Sequence, residues 1–296
     1  KEVGTRGTRH YAGAGGPAAA SCPGLREAAK GMGFGRIIGS LLQPAAWQCQ
    51  NCTMPTPATP NRTLLGRLGW VRWPAVLVGM VLLLLMGPFG VLAFGDVDLR
   101  TPWHQTRRDS SGQAPDPALV REAVVQVYGA RTVRWRGAFG IHPWIAVKRS
   151  DADSYTTYQK IGWRAYRGGD AVVATSTHSP DAHWFGAVPQ LLVEHRGAAA
   201  EAMIDRIEAA VAAYPWGHQY RLWPGPNSNT FVAYVARAVP ELGLDLPPTA
   251  IGKDYLGPTT LIARAPSGTG WQLSLAGLAG ITVAREEGLE INLLGL

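Results

Sequence analysis

A stiff loop passes into a helix along the stretch Trp223-Pro224-Gly225-Pro226-Asn227-Ser228-Asn229-Thr230-Phe231. Two prolines flank a glycine, and the next three side chains can accept hydrogen bonds from backbone N–H groups, as residues at helix N-termini do. An apolar run follows and Pro240 ends it, so we predict a helix from about Asn229 to Ala238. The Ser228 hydroxyl then lies at the positive end of a helix, where both enzyme nucleophiles and plain capping residues are found.

The segments around this loop have the periodicity of strands and helices. Strand-like alternation or composition is found at 120–128, 131–136, Ile141–Lys148, Tyr155–Trp163, Ala171–Ser176, 271–275, 281–284 and 289–294. Helical period and composition are found at Gln190–His195 and Ala198–Ala213. The order of these elements predicts an α+β fold, in which an antiparallel sheet packs on two or three helices.

An uninterrupted apolar run lies upstream, from Pro74 to Gly95. It is long enough to cross a hydrocarbon core of about 30 Å at about 1.5 Å per residue. A cleaved signal peptide ending at Ala93-Phe94-Gly95 is the alternative, but the run exceeds the usual length of a signal-peptide core, which favours a membrane anchor. Residues suited to the membrane surface precede or begin the run: Arg62, Arg67, Trp70, Arg72 and Trp73. The arginines predict a cytoplasmic N-terminal side, and therefore a single-pass anchor in the inner (cytoplasmic) membrane with the C-terminal domain outside the cytoplasm.

Composition divides the chain into four parts. Residues 1–60 are rich in Gly, Ala, Pro and Thr without a sustained period, which predicts a disordered or non-native leader, with Met54 as a candidate start. Residues 61–95 are the basic flank and the anchor, and residues 96–118 are a polar linker. Residues 119–296 are then one extracytoplasmic α+β domain.

Charge and cysteine content exclude two classes of function for that domain. The net charge of +7 arises within residues 1–95, whereas residues 96–296 hold nineteen basic and nineteen acidic residues. A nucleic-acid partner is therefore not expected. The three cysteines, Cys22, Cys49 and Cys52, all precede the anchor, so the domain has no thiol nucleophile. The Cys49-x-x-Cys52 spacing lacks a second ligand pair and does not predict a metal site.

Acyl-transfer chemistry requires a nucleophile, a base within hydrogen-bond reach and a group that orients the base. Ser228 and His142 are of the right type for the first two roles. Tyr158 or Gln159, on the next predicted strand, is of the right type for the third. Each residue also has a structural interpretation, because Ser228 suits a helix cap and His142 suits a half-buried position bonded to a backbone carbonyl.

Other residues are candidates for positioning a ligand. Asn227 or Asn229 could donate a hydrogen bond to a developing oxyanion at the helix N-terminus, although both also suit turns and caps. Residues that could line a cleft are Trp144, Trp163, Trp223, Lys253 and Tyr255. The group His178, Asp181 and His183 lies on a Pro-containing loop without ligand spacing. No metal and no cofactor are predicted.

The order of a strand histidine followed by Asn-Ser-x-x-Phe at a helix start resembles circularly permuted papain-like enzymes, which include lecithin–retinol acyltransferase-like proteins. The resemblance covers roughly residues 130–240 and implies a permuted papain-like arrangement. His142 takes the position of the family's histidine, and Ser228 that of its cysteine. Serine is harder to ionise than cysteine, so this chain departs from the family at its nucleophile.

Longer stretches resemble an uncharacterised bacterial membrane-associated family, domain of unknown function 3750. The stretches are Gly140–Lys148, Ile161–Arg164, Trp223–Phe231, Glu241–Tyr255 and Gly288–Leu296. This resemblance implies a membrane-anchored bacterial protein and brings no activity with it.

Two functions follow as expectations for a membrane-anchored cell-envelope protein. One is a hydrolase or acyltransferase acting on amide or ester bonds of peptidoglycan or lipid. The alternative is a catalytically inactive envelope-binding or structural module with a papain-like cleft. The membrane is an expected partner in both cases, and the sequence identifies no protein partner.

Overall fold

The computed structural model describes residues 64–95 and 97–295, with side chains from Trp73 onward. The predicted leader 1–60, its three cysteines, Met54 and Arg62 lie outside the described residues, as do the side chains of Arg67, Trp70 and Arg72. The boundaries proposed for leader, anchor, linker and domain remain predictions.

The first described element is a long apolar helix, α1 (Leu64–Phe94). Its segment Trp73–Phe94 is long and apolar enough to cross a membrane. Within Trp73–Phe94, no charged side chain interrupts the apolar surface of the helix, as in a membrane span and unlike the amphipathic helix of a globular surface. The predicted N-terminal helix of membrane-spanning length is therefore confirmed.

The domain is built on a five-stranded antiparallel sheet in the order β4-β3-β2-β1-β5. Its elements are β1 (Val124–Arg131), β2 (Ile141–Lys148), β3 (Thr156–Lys160), α2 (Gly162–Tyr166), β4 (Val172–Thr175), β5 (Gln190–Arg196), α3 (Ala198–Ala212) and α4 (Ser228–Ala238). Short 3₁₀ helices occupy Arg134–Ala138 and Pro240–Leu242.

The two faces of this sheet carry different clusters. Odd-numbered residues of β1 and β2, such as Val127 and Ile145, pack against α3 and α4 in the main core. Even-numbered residues, such as Tyr128 and Trp144, form a second cluster on the other face. Side chains alternate between the two faces along each strand, so the face of any strand residue can be assigned from its pairing partner. On β3, Tyr158 lies in the main core, so the α4 side of the sheet also carries Lys160.

A second antiparallel sheet follows, in the order β6-β7-β8-β9. Its strands are β6 (Ile262–Arg264), β7 (Gly270–Leu275), β8 (Ala279–Ala284) and β9 (Gly288–Leu293). The face turned into the protein is polar, and its buried side chains include Gln272, Ser274, Thr282 and Asn292. The opposite face is apolar, and its side chains are 40–68% exposed: Ile262, Trp271, Leu273, Leu275, Ile281, Val283, Leu289, Ile291 and Leu293. This is the reverse of the usual arrangement of a half-buried antiparallel sheet.

A buried polar network joins this second sheet to the rest of the domain. The Asp254 carboxylate accepts hydrogen bonds from the side-chain amides of Gln272 and Asn292, the latter at 2.7 Å. Lys253 forms ion pairs with Asp254 and with Glu290. The inward polar residues of the sheet are therefore satisfied by residues of the loop that precedes it.

Residues 97–118, which the sequence predicts to be a linker, contact the domain through Asp181. Its carboxylate accepts hydrogen bonds from the Ser110 hydroxyl at 2.8 Å and from the Gln113 backbone N–H at 2.6 Å. Asp181 is fully buried, and His183 nearby is bonded to the carbonyl of Asp109. Two of the three residues weighed as metal ligands thus hold this segment against the domain.

The predicted α+β class is confirmed, but two local predictions are wrong. Residues 131–136 do not form a strand, because Arg134 has a φ of +57° and begins a 3₁₀ helix. Residues 190–195 do not form a helix but a strand, because Leu191 and Val193 pair with β1 along the edge of the sheet. Strand β6 was not predicted from the sequence. The permuted papain-like arrangement remains a prediction.

Candidate functional site

A cavity of about 1010 Å³ opens where β2 begins, β3 ends and α4 begins. Its wall is largely aromatic: Trp103, Trp135, Phe139, Trp163, Tyr166, Trp184, Phe185, Tyr220 and Trp223. Polar side chains from β2 and the start of α4 face the same space: His142, Asn227, Ser228 and Asn229. A large apolar cavity with a few polar groups is the usual form of a small-molecule site.

The cavity wall also carries an excess of positive charge. Its basic residues are Arg108, Arg134, Arg136, Lys160 and Arg167. Within the described ranges, no aspartate or glutamate lines this cavity. The arginines are exposed at the rim, whereas Lys160 is fully buried. This distribution of charge favours an anionic ligand.

The N-terminus of α4 is held by Asn227, which is its cap residue. The Asn227 side-chain oxygen accepts hydrogen bonds from the backbone N–H groups of Asn229 and Thr230, and the Thr230 hydroxyl completes a capping box. The Asn227 side-chain amide donates to the carbonyls of Leu222 and Ile251. The predicted cap at the start of the helix is therefore present, and Asn227, rather than Ser228, provides it.

A glycine allows this cap to pack closely against the following loop. Gly252 has a φ of +95°, and a β-carbon there would lie 2.4 Å from the amide nitrogen of Asn227. Only glycine fits this close approach without moving the cap. The sequence around Gly252 therefore contributes to the position of the α4 N-terminus and of the cavity wall that it forms.

Asn229 lies at the same helix end and is buried. Its side-chain amide donates to the Ile251 carbonyl at 2.7 Å, so this donor is used within the protein. Its side-chain oxygen, by contrast, has no hydrogen-bond partner in the described part of the chain. Asn229 lines the cavity, but this oxygen atom itself is buried.

Ser228 is buried at the N-terminus of α4 and borders the cavity beside Tyr220. Burial raises the pKa of the Tyr220 phenol, and the hydroxyl and backbone N–H of Ser228 lie close enough to oppose this rise. No hydrogen bond joins Ser228 to His142 within residues 97–295. The arrangement thus brings Ser228 next to a phenol rather than next to an imidazole.

His142 lies on the other face of the sheet from α4. Its ring stacks on Trp184 with a centroid distance of 3.9 Å, and its Nε2 atom is 3.2 Å from the Gln159 side-chain oxygen. His142 and Trp144 are two residues apart on β2, so their side chains point to the same face of the sheet, away from the helices. Burial lowers the pKa of His142 to about 4, while the Gln159 hydrogen bond has the opposite effect. The imidazole is therefore neutral at pH 7 and a weak base.

Lys160 is one of several residues of this site that sequence analysis did not find. Its Nζ atom donates to the Trp216 carbonyl at 2.9 Å and to the Tyr214 hydroxyl at 3.1 Å. Burial lowers the pKa of the amine to about 7, and the charge of Asp170 opposes this shift. The period-two alternation from Tyr158 could have placed Lys160 on the helix side of the sheet.

The structure brings together only part of the predicted set. Ser228, His142, Asn227, Asn229, Trp163 and Trp223 line the cavity. Gln159 contacts His142 from outside the wall. The Tyr158 hydroxyl instead bonds Glu208 on α3 at 3.2 Å.

The remaining predicted cleft residues lie away from the cavity wall. Trp144 is buried and donates to the Pro180 carbonyl at 2.7 Å. Lys253 belongs to the polar network of the second sheet. Tyr255 packs edge-on against Trp216.

Three comparisons bear on the identity of the chain. No curated protein and no solved structure gives a significant match to it. A family model described as "Protein of unknown function (DUF3750)" matches residues 122–255, which extend from β1 through α4 to Tyr255. The matched residues include most of the cavity wall and the whole N-terminus of α4. Over residues 122–255 the chain is therefore similar to the DUF3750 family, whose function is unknown.

Proposed function

We propose that this protein is anchored in the inner membrane of a bacterium by α1 and binds an anionic, lipid-like ligand in the cavity of its extracytoplasmic domain. Of the two functions expected from the sequence, this is the envelope-binding one. The class of ligand is inferred from the residues that line the cavity. The proposed orientation rests on the arginines that precede the apolar run.

One observation carries this proposal: the cavity combines an aromatic wall with basic residues and, among the described residues, has no acidic residue on it. An aromatic wall stabilises an apolar chain by removing its surface from water. The exposed arginines at the rim attract a negative head group, and each contributes about 1 kcal/mol toward an anionic lipid. A helix of membrane-spanning length in the same chain would keep the domain near a source of such ligands.

Photo-crosslinking tests this binding. Full-length protein in vesicles is exposed to a diazirine-bearing phosphatidic acid and, separately, to the matched neutral diacylglycerol. We expect the anionic probe to label peptides that contain residues 160–167 and 220–229, and the neutral probe to label them at least about fivefold less, since it lacks the head-group charge.

Charge reversal at the rim provides the matched control for this test. The double variant Arg136→Glu/Arg167→Glu should lower anionic labelling at least about tenfold, because two attractive charges become repulsive. The variant Arg121→Glu/Arg285→Glu changes the net charge equally at exposed positions outside the cavity and should leave labelling unchanged. Equal labelling in all three proteins would contradict the proposal.

A second function, hydrolysis or transfer of an acyl group in a permuted papain-like site, is supported by the position of Ser228. Its hydroxyl lies at the N-terminus of α4 and borders the cavity. Backbone N–H groups at such a helix end can stabilise a developing oxyanion. His142 is the proposed base, although the structure describes no hydrogen bond between its ring and Ser228.

A serine-reactive fluorophosphonate distinguishes this second function from binding alone. If Ser228 is a nucleophile, the probe labels it in the full-length protein, and Ser228→Ala removes the label. Labelling should then fall at least a hundredfold in His142→Ala, which is the usual contribution of a general base. A folded protein that takes up no label at Ser228 would exclude the acyl chemistry and leave the binding function intact.

A further inference from the structure

The buried amine of Lys160 is a polar group of the cavity to which the functions above assign no individual role. It lies at the end of β3, has no exposed surface, and borders the same cavity as the exposed arginines. A lysine is seldom fully buried without a charged partner. Its surroundings differ from those of the other buried lysines within residues 97–295.

The hydrogen bonds of Lys160 suit a neutral amine. A neutral amine has two N–H donors and one lone pair, whereas an ammonium group has three donors and no acceptor. The protein supplies two acceptors, the Trp216 carbonyl and the Tyr214 hydroxyl, and both are uncharged. In the neutral form both donors are used, and the lone pair has no partner among the described residues.

The other two lysines of residues 97–295 have different partners. Lys253 forms ion pairs with Glu290 and Asp254, and so has the carboxylates that a buried ammonium group requires. Lys148 donates to the carbonyl of Arg149 and does not line the cavity. Lys160 alone among these three combines a position on the cavity wall with the absence of a hydrogen-bonded carboxylate in the described residues.

We propose that Lys160 is the binding residue for the acidic head group of the cavity ligand, and that its amine takes up one proton when the anion binds. This inference rests on the proposed ligand-binding function. The step is balanced: neutral amine, one proton from solvent and the ligand anion give an ammonium–anion pair in the cavity. No bond to carbon forms or breaks.

The groups around the amine allow this change of charge. The ring centroids of Tyr214 and Tyr220 lie 4.6 Å and 5.8 Å from Nζ, so aromatic faces are available to a cation. The acidic group that acts on the amine is Asp170, on the loop before β4, and its influence is smaller than that of burial. Burial keeps the pKa of Lys160 near 7 in the free protein, and a bound anion would raise it.

The proposal predicts a pH dependence of binding with a definite sign. Below about pH 7 the amine already carries its proton, so Lys160 should not make the affinity for an anion depend on pH. Above that pH each binding event must recruit a proton, and affinity should fall about tenfold per pH unit. Decanoate is a suitable probe because its carboxylate stays ionised across this range.

The test is calorimetric titration of decanoate into the full-length protein in zwitterionic nanodiscs, with empty nanodiscs as the baseline. From pH 7.5 to 9.5 we expect wild-type affinity to fall about a hundredfold, with one proton taken up per decanoate when buffers of different ionisation enthalpy are compared. Lys160→Met should bind without this dependence, whereas the control Lys148→Met should behave as wild type. Equal pH dependence in Lys160→Met would overturn the inference alone. No binding of decanoate to wild type at any pH would overturn the proposed function and the inference together.

A second measurement needs no variant. Acetic anhydride at pH 7.5 should acetylate Lys160, as quantified by mass spectrometry, because the lone pair of its neutral amine attacks the anhydride and displaces acetate. Decanoate should protect Lys160 and leave the rates at Lys148 and Lys253 unchanged. Equal modification of Lys160 with and without bound decanoate would contradict the proposal.

Discussion

Asp254→Ala is expected to lower the free energy of unfolding by about 3–5 kcal/mol, the range for removing one partner of a buried ionic network. The substitution leaves the side-chain amides of Gln272 and Asn292 without their acceptor and removes one partner of Lys253. These residues join the second sheet to the domain. The loss of stability should therefore appear as less cooperative unfolding, in which the second sheet unfolds before the rest of the domain. The measurement is urea denaturation followed by tryptophan fluorescence.

An exposed aspartate serves as the control for this substitution. Asp153 is exposed, and Asp153→Ala should change the free energy of unfolding by no more than about 0.5 kcal/mol. Asp254→Asn retains the shape of the side chain and one acceptor oxygen, so an intermediate loss is expected. A loss below about 1 kcal/mol in Asp254→Ala would show that the polar network does not hold the sheet in place.

Acidification is expected to destabilise the protein through His142. The pKa of the folded-state imidazole is about 4, below the ordinary value of about 6.5, because of burial. Between these values the unfolded chain binds more protons than the folded one, so stability is full above about pH 6.5 and falls as pH drops toward 4. The contribution of this one group over that interval is about 3 kcal/mol.

Chemical denaturation between pH 7 and pH 4 measures this linkage. In His142→Gln the loss of stability on acidification should be smaller by about 3 kcal/mol, since glutamine does not titrate. His218→Gln, at an exposed position, should retain the wild-type loss. An identical pH dependence in wild type and His142→Gln would contradict the assignment of a neutral, buried imidazole.

Local signals in the sequence were sufficient to predict the start of α4 and the strand that carries His142. Side chains such as Asn227 act on backbone groups two and three residues away, so their effect can be inferred from neighbouring residues alone. The strand Ile141–Lys148 was predicted with its observed bounds because its β-branched and aromatic residues suit a sheet on both of its faces.

The relation between His142 and Ser228 depends on the register of the sheet, which no local pattern contains. Both residues border one cavity, but alternation along β2 places the imidazole on the face away from α4. The buried state of Lys160 was equally hidden, because a lysine near a strand end is usually exposed. Its environment comes from Tyr214 and Trp216, which are more than fifty residues away in the chain.

Three strands of the second sheet, β7, β8 and β9, were predicted, but the direction of their faces was not. The alternation of Trp271, Leu273 and Leu275 is the same whether the apolar side is inside or outside. The apolar face points outward because Asp254 and Lys253 form hydrogen bonds and an ion pair with the polar side chains of the opposite face.

That outward face has a practical consequence for work with the isolated domain. Residues 96–296 carry equal numbers of basic and acidic groups, so near neutral pH mutual repulsion does little to keep molecules apart. The bare leucine, isoleucine and valine side chains of β7, β8 and β9 then govern colloidal behaviour. Preparations that lack α1 would still require a mild detergent, and light scattering at increasing concentration should reveal clustering when that detergent is withdrawn.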